Sequence, residues 1–122
     1  MLIVEDDRVA IEVMGFIVSK RYPECGVSFA YDGEMGLEIF QERLPDIVIT
    51  DINMPKMDGI KMAEAIKSIR AGTKIIVLTA YNHKIHQEHF AELGISEHLL
   101  KPVQFEKLFA AVDKAIEEIQ AG

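Results

Sequence analysis

Short runs of apolar residues alternate along this chain with longer segments whose apolar residues recur every three or four positions. The runs occupy residues 2–4, 27–30, 47–50, 75–78 and 99–100. Short apolar runs bounded by turns predict buried strands, and a spacing of three or four predicts amphipathic helices. The pattern therefore predicts five strands, each followed by a helix, with no internal repeat or linker.

Each predicted helix carries an apolar stripe that we expect to face the core. The stripes are Ala10, Val13, Met14 and Ile17; Leu37 and Phe40; Met62, Ala63, Ile66 and Ile69; and Phe105, Leu108, Val112, Ile116 and Ile119. The fourth helix, from about residue 82 to 93, has the weakest stripe. Pro45, Gly72 and Gly94 mark where three of the helices end.

This alternation, with short connections, predicts an α/β fold of the (βα)5 type. The sheet is expected to be parallel, with right-handed crossovers and helices on both faces, which is the doubly wound arrangement. The chain has 122 residues, 49% of them hydrophobic, which fits one domain over residues 1–122 with a substantial core. Parallel strands bring their carboxyl ends to one edge, where open α/β sheets bind ligands.

The charge and cysteine content of the chain argue against some functions and cellular locations. Thirteen basic and 20 acidic residues give a net charge of −7, which argues against direct nucleic-acid binding. No apolar stretch is long enough to cross a bilayer and no signal-peptide pattern opens the chain, so we expect no membrane association. A single cysteine, Cys25, permits no internal disulfide, and a cytoplasmic location is expected.

Polar groups suited to phosphate chemistry follow four of the five predicted strands. Glu5-Asp6-Asp7 follows the first strand, Asp51 the third, Thr79-Ala80 the fourth and Lys101-Pro102 the fifth. In a parallel sheet these groups share one edge. The sequence therefore predicts a small crevice containing carboxylates, a hydroxyl and an ammonium group.

Carboxylates that converge at strand ends repel one another unless a cation lies among them. Mg²⁺ fits best, because it accepts one or two carboxylates and keeps several waters. Asp6 and Asp51 are the direct ligand candidates, Glu5 could act through a water, and the backbone carbonyl of Asn53 is close enough to join them. Asp7 could simply cap the first helix, where acids are favoured.

Asp51 ends a fully apolar strand and is the candidate nucleophile. A carboxylate beside a metal can attack phosphorus and form an acyl phosphate. Thr79 could donate its hydroxyl to a phosphoryl oxygen, the small Ala80 leaves space there, and Lys101 could supply a positive charge. Thr79 or Lys101 alone would be weak evidence for a phosphate site. The interpretation depends on their combination with Asp51 at one edge of the sheet.

These residues resemble the receiver domain of bacterial response regulators over essentially the whole chain. The matching segments are residues 2–7, 46–55, 57–59, 77–80 and 99–102. The resemblance implies a flavodoxin-like fold with strand order 2-1-3-4-5 and Mg²⁺ as cofactor. It also implies that Asp51 accepts a phosphoryl group from a phosphohistidine on a sensor histidine kinase or phosphotransfer protein. Glu5 and Asp6 match the acid pair of the family, and Asn53 matches the carbonyl ligand of Mg²⁺.

The resemblance also assigns the groups that respond to phosphorylation. Thr79 matches the switch hydroxyl and Lys101 the lysine of the motif, and the peptide bond before Pro102 is expected to be cis. Receivers usually carry Tyr or Phe three residues before this lysine, where the present chain has His98. The expected partner or output surface is the face formed by the fourth helix, the fifth strand and the fifth helix. Because histidine titrates near neutral pH, we hypothesise that this surface responds to pH.

Two residues near the site could set the lifetime of the phosphate. Asn53 could orient an attacking water, and the bulk of Tyr81 could exclude it. Each lies two positions beyond a key residue, Asp51 and Thr79 respectively.

Three other kinds of site compete with this interpretation. A flavodoxin-like nucleotide binder would need a Ser-, Thr- and Gly-rich loop after the first strand, where the chain has acids. An aspartyl phosphatase usually has a second acid two residues after the nucleophile, where the chain has Asn53. His83, His86 and His89 recur every three residues and could chelate a soft ion, although a solvated helix face is the favoured interpretation.

The receiver could act as a stand-alone signalling module that binds a partner when phosphorylated. Alternatively, it could be one domain of a hybrid kinase or of a regulator with an enzymatic output. In either case the chain itself is expected to be a phosphoacceptor that catalyses only its own phosphotransfer and dephosphorylation.

Overall fold

Five strands and five helices alternate along the chain in the computed structural model, which describes residues 1–52, 54, 56–80, 84–95 and 97–121, without the side chains of 84–87. The strands are β1 (Leu2–Val4), β2 (Ser28–Ala30), β3 (Ile47–Asp51), β4 (Lys74–Thr79) and β5 (Glu97–Leu100). The helices are α1 (Arg8–Arg21), α2 (Gly33–Arg43), α3 (Gly59–Ile69), α4 (Lys84–Glu92) and α5 (Phe105–Ala121). The predicted (βα)5 alternation is confirmed.

All five strands are parallel and lie in the order β2-β1-β3-β4-β5, as predicted. Val4 at the end of β1 pairs with Thr50, so the residues that follow β1 lie beside Asp51 at the end of β3. Thr79 at the end of β4 pairs with Leu100 of β5, immediately before Lys101. The strand order therefore brings the predicted polar groups to one edge.

The sheet separates two hydrophobic cores, because alternate residues of each strand point to opposite faces. One core joins Leu2, Val4, Val48 and Val77 to α2, α3 and α4. The other joins Ile3, Ile49, Ile76 and Leu78 to α1 and α5. Burial on both faces explains why the central strands are apolar almost throughout, and it makes a charged residue such as Asp51 conspicuous.

Aspartates cap the first three helices and fix where they begin. The Asp7 carboxylate accepts hydrogen bonds from the backbone N–H groups of Val9 and Ala10, at 3.0 and 3.2 Å. Asp32 and Asp58 accept the corresponding bonds at the starts of α2 and α3. The capping role considered for Asp7 is thus confirmed.

Two predicted helix faces are partly wrong. On α1 the buried residues include Ile11, Met14 and Val18, whereas Val13 is 47% exposed. Because α1 itself has apolar residues around most of its circumference, their spacing could not show which face packs against the sheet and α5. On α3, Ile69 is 45% exposed because it is the last helical residue, where the chain leaves the core.

Among the described residues, the structure contains no helix that is both long and apolar enough to span a membrane.

Candidate functional site

Three carboxylates converge at the carboxyl ends of β1 and β3. One carboxylate oxygen from each of Glu5, Asp6 and Asp51 lies within 4.8 Å of the others. Glu5 and Asp51 are 2% and 6% exposed, whereas Asp6 faces solvent. The Glu5 N–H donates to the Ala30 carbonyl at 3.0 Å, which continues the sheet ladder beyond β1 and fixes the backbone of Glu5. The acids are arranged so that they could hold a metal ion.

Lys101 places its ammonium group between two of these acids. Its Nζ lies 3.0 Å from Oε1 and 3.3 Å from Oε2 of Glu5, and 3.0 Å from Oδ2 of Asp51. The backbone N–H of Lys101 also donates to the Thr79 carbonyl at 2.7 Å, so the end of β4 positions the lysine backbone. Three carboxylates and one ammonium leave a formal charge of −2 when all are ionised, which a divalent cation would balance.

Burial and neighbouring charges shift the proton affinities within the site. Burial raises the pKa of Glu5 to about 7, the Lys101 hydrogen bond opposes this change, and the charge of Asp51 adds to it. Burial acts to lower the pKa of Lys101, but its hydrogen bonds to Asp51 and Glu5 outweigh burial and raise it. The acids therefore hold the ammonium firmly in its charged form, yet one ammonium does not compensate them fully.

The remaining predicted residues lie around this cluster. Thr79 is 6% exposed at the end of β4, and Ala80 follows it at the surface. Pro102 is exposed, and the peptide bond that precedes it is cis, as the resemblance implies. His98 of β5 is half-buried, with its ring centroid 5.0 Å from that of Phe90 in α4. The residue at the usual aromatic position thus contacts the fourth helix.

Several predicted residues fall outside the described part of the structure. Asn53, Tyr81 and His83 are among them, as is the side chain of His86. The third histidine of that series, His89, lies with Nε2 2.5 Å from Oε1 of Glu64 in α3. Within the described residues, the acids of the strand-end cluster form the one group of three potential metal-ligating side chains.

The sequence does not predict the bond between Lys101 and Glu5. It indicates Glu5 only as an outer ligand of a metal, and Lys101 only as a partner of the transferred phosphate. One feature of the sequence could have indicated a cationic partner for Glu5. This carboxylate directly follows the fully apolar β1 run, and a buried acid needs such a partner.

An apolar groove of about 550 Å³ opens beside the cluster, between α1 and the segment before α5. Val13, Met14, Val103 and Phe105 line it, and Lys101 forms part of its wall. The exposed side chain of Val13 therefore borders the acidic site.

An open, doubly wound α/β domain with acids and a lysine at the carboxyl edge of its sheet belongs to the flavodoxin-like class. Comparison with known proteins is more specific. The profile of the response regulator receiver domain matches residues 1–113, and the chain belongs to this family of two-component signal transduction.

Individual relatives agree with the family assignment. A probable chemotaxis protein CheY from Rhizobium etli is 34% identical, over 92% of this chain and 88% of that protein. The probable C4-dicarboxylate response regulator DctR from Bacillus subtilis is 31% identical over 93% of this chain, which spans only 50% of DctR. The N-terminal domain of an uncharacterised Wolinella succinogenes protein superposes with a TM-score of 0.89 and 36% identity, over 98% of this chain and 95% of that one.

Proposed function

We propose that Asp51 accepts a phosphoryl group from a phosphohistidine of a sensor histidine kinase or phosphotransfer protein. The observation that carries this proposal is the position of Lys101, whose Nζ lies 3.0 Å from Asp51 in a site that two further acids line. A nearly buried carboxylate with a neighbouring cation is suited to attack phosphorus, because the ammonium can then receive a phosphoryl oxygen. Family membership supports the same role.

Mg²⁺ is the cofactor in this proposal. Asp6 and Asp51 would hold it directly, Glu5 through a water and Asn53 through its backbone carbonyl. The donor set fits, because all these ligands are oxygens and the acids lie within 4.8 Å of one another. When bound, Mg²⁺ would screen the negative charge of the transferring group.

The residues of the chain carry the remaining steps. A carboxylate oxygen of Asp51 attacks phosphorus, the new P–O bond forms, and the P–N bond breaks with its electron pair returning to the imidazole. Lys101 neutralises charge on the phosphoryl oxygens, and Thr79 donates its hydroxyl to one of them. Ala80 keeps this space open, because its side chain is a single methyl group.

In this proposal each kind of partner binds a different surface near the site. We place the phosphodonor at the apolar groove beside Lys101, because Lys101 lines this groove and bonds to Asp51. We place the downstream partner or output domain at the face formed by α4, β5 and α5. Leu100 on this face is 55% exposed, and His98 contacts Phe90 of α4. In this proposal the domain acts in the cytoplasm, either alone or within a hybrid kinase or a regulator with an enzymatic output.

Phosphorylation by acetyl phosphate and Mg²⁺ tests the proposal. Intact mass should show one added phosphoryl group on the wild type and none on Asp51→Asn. Asp7→Asn is the matched control, since Asp7 is a neighbouring exposed acid and Asn also caps helices well. Equal labelling of Asp51→Asn and the wild type would contradict the proposal.

A further inference from the structure

The loop that follows Asp51 comes very close to two glycines at its described residues Ile52 and Met57. A Cβ built on Gly59 would lie 2.2 Å from the Asp51 carbonyl oxygen and 2.9 Å from the Ile52 Cα. The Gly59 N–H also donates to the Ile52 carbonyl at 2.7 Å. Any larger residue at position 59 would therefore displace the chain beside the phosphoacceptor itself.

The second close approach comes from the start of α2. A Cβ on Gly33 would lie 2.0 Å from the Met57 carbonyl oxygen and 2.8 Å from the Met57 Cβ. Atoms not bonded to each other normally stay more than 3 Å apart, and a backbone carbonyl cannot rotate away as the end of a side chain can. The first turn of α2 thus forms a surface against which the loop rests.

Two further features show that the same turn holds this loop. Asp32, the cap of α2, has its Oδ2 3.8 Å from Nζ of Lys56. Lys56 has φ 67°, which lies in the left-handed region that L-residues with a Cβ rarely adopt. A residue persists there only when its surroundings hold it, and both the Asp32 ion pair and the approach of Gly33 to Met57 lie at this point of the loop.

We propose that Gly33 is a positioning residue for Mg²⁺ binding and phosphotransfer at Asp51. This inference rests on the proposed function, in which Asp51 holds Mg²⁺ and accepts the phosphoryl group. Gly33 itself lies outside the ligand set and acts through the Met57 backbone. A larger residue at position 33 would push the Met57 backbone away, and two residues later Gly59 packs directly against the Asp51 carbonyl.

Gly33→Ala tests the inference, with Gly36→Ala as the matched control. Gly36 lies one turn further along α2, and its Cβ would meet only side-chain atoms, 2.7 Å from Met62 Sδ and 3.1 Å from a Val4 methyl. Both variants crowd the domain, but only Gly33→Ala crowds the loop backbone. Outer contacts of metal sites typically change affinity or activity about 10- to 100-fold.

We therefore expect Gly33→Ala to weaken Mg²⁺ binding by about 10-fold or more and to slow phosphorylation by acetyl phosphate similarly. Gly36→Ala should retain both properties even if its melting temperature falls. Amide NMR spectra recorded during a Mg²⁺ titration give the affinity without reference to phosphotransfer. Wild-type affinity and rate in a folded Gly33→Ala protein, or equal losses in both variants, would overturn the inference.

A measurement on the wild type decides the matter if Gly33→Ala does not fold. Coupling between two sites is reciprocal, so Mg²⁺ should in turn restrain the first turn of α2. Hydrogen exchange of the Met35 N–H, which bonds to Asp32, should slow about fivefold or more with Mg²⁺. The Leu44 N–H at the other end of α2 should not change, and equal responses at both ends would refute the coupling.

Different results would contradict the role of Gly33 and the role of Asp51. If the wild type takes phosphate on Asp51 and Gly33→Ala behaves identically, only the role of Gly33 is wrong. If the wild type takes no phosphate on Asp51, the proposed function is wrong whatever Gly33→Ala does.

Discussion

Replacing Lys101 with methionine should have opposite effects on two properties of the domain. Lys101→Met keeps most of the side-chain volume but removes the ammonium that bonds Glu5 and Asp51 at 3.0 Å each. The three acids then face one another without an internal cation. We expect Mg²⁺ to bind the variant more tightly, because the ammonium no longer repels it, while phosphotransfer becomes slower.

The effect on stability can be estimated from the same contacts. Hydrogen bonds to charged groups contribute about 1.5–3 kcal/mol each, and Lys101 makes them to two carboxylates. Two effects make the loss of stability smaller than the sum of these hydrogen bonds. The lysine side chain is 28% exposed, so solvent weakens the bonds, and the substitution also removes the cost of burying an ammonium. Without metal, Lys101→Met should lower the free energy of unfolding by about 2 kcal/mol.

Urea unfolding with and without Mg²⁺ measures this prediction. A cation that binds only the folded state stabilises it by about 2.7 kcal/mol at 100 times its dissociation constant. Because the variant binds Mg²⁺ more tightly, its stability deficit relative to the wild type should shrink as Mg²⁺ is added. A deficit that stays constant or grows would show that Lys101 and Mg²⁺ do not share the same carboxylates.

Four further substitutions extend the test. Asp6→Asn should abolish measurable Mg²⁺ binding and phosphotransfer but, without metal, change the free energy of unfolding by less than about 0.5 kcal/mol, because Asp6 is exposed; an unchanged Mg²⁺ titration would show that the metal does not bind at Asp6. Burial, followed by the hydrogen bond to Asp113, raises the pKa of Tyr22 to about 12, so the protonated phenol favours the folded state. That stability should disappear as pH rises from about 10 through 12 in urea unfolding, and Tyr22→Phe should lack the loss. His98→Phe should change the pH dependence, between about 5.5 and 8, of the amide spectra of the face formed by α4, β5 and α5; an unaltered profile would refute pH sensing by His98. Tyr81→Ala should speed loss of the phosphate, followed by intact mass, and a slower or unchanged loss would show that Tyr81 does not shield the site.

The strands of the sheet could be predicted from the sequence, because each strand is a separate apolar run. β3 and β4 are buried along nearly their whole length, so their runs are unbroken, and a polar residue at the end stands out. For this reason the convergence of Glu5, Asp6 and Asp51 could be predicted. The strand order itself came from the family resemblance and not from the pattern.

Helix faces and side-chain partners were harder to predict, because tertiary packing decides them. On α1, the stripes containing Val13 and Ile11 are both apolar, and only the position of the helix against the sheet and α5 buries Ile11. The bond from Lys101 to Glu5 joins residues 96 positions apart, which no local pattern encodes. The contact of Gly33 with Met57 depends on how closely two backbones approach, and the sequence shows only the absence of a side chain.

If Asp51 receives phosphate from a phosphorus–nitrogen bond, it should react with phosphoramidate, a very small molecule that contains this bond. Wild type and Asp7→Asn should be incubated with phosphoramidate and Mg²⁺ beside Asp51→Asn, and the acyl phosphate mapped by borohydride reduction and tandem mass spectrometry. We expect one modified residue, Asp51, in the first two proteins and none in the third. Modification at another residue of the wild type, or undiminished modification of Asp51→Asn, would contradict this expectation.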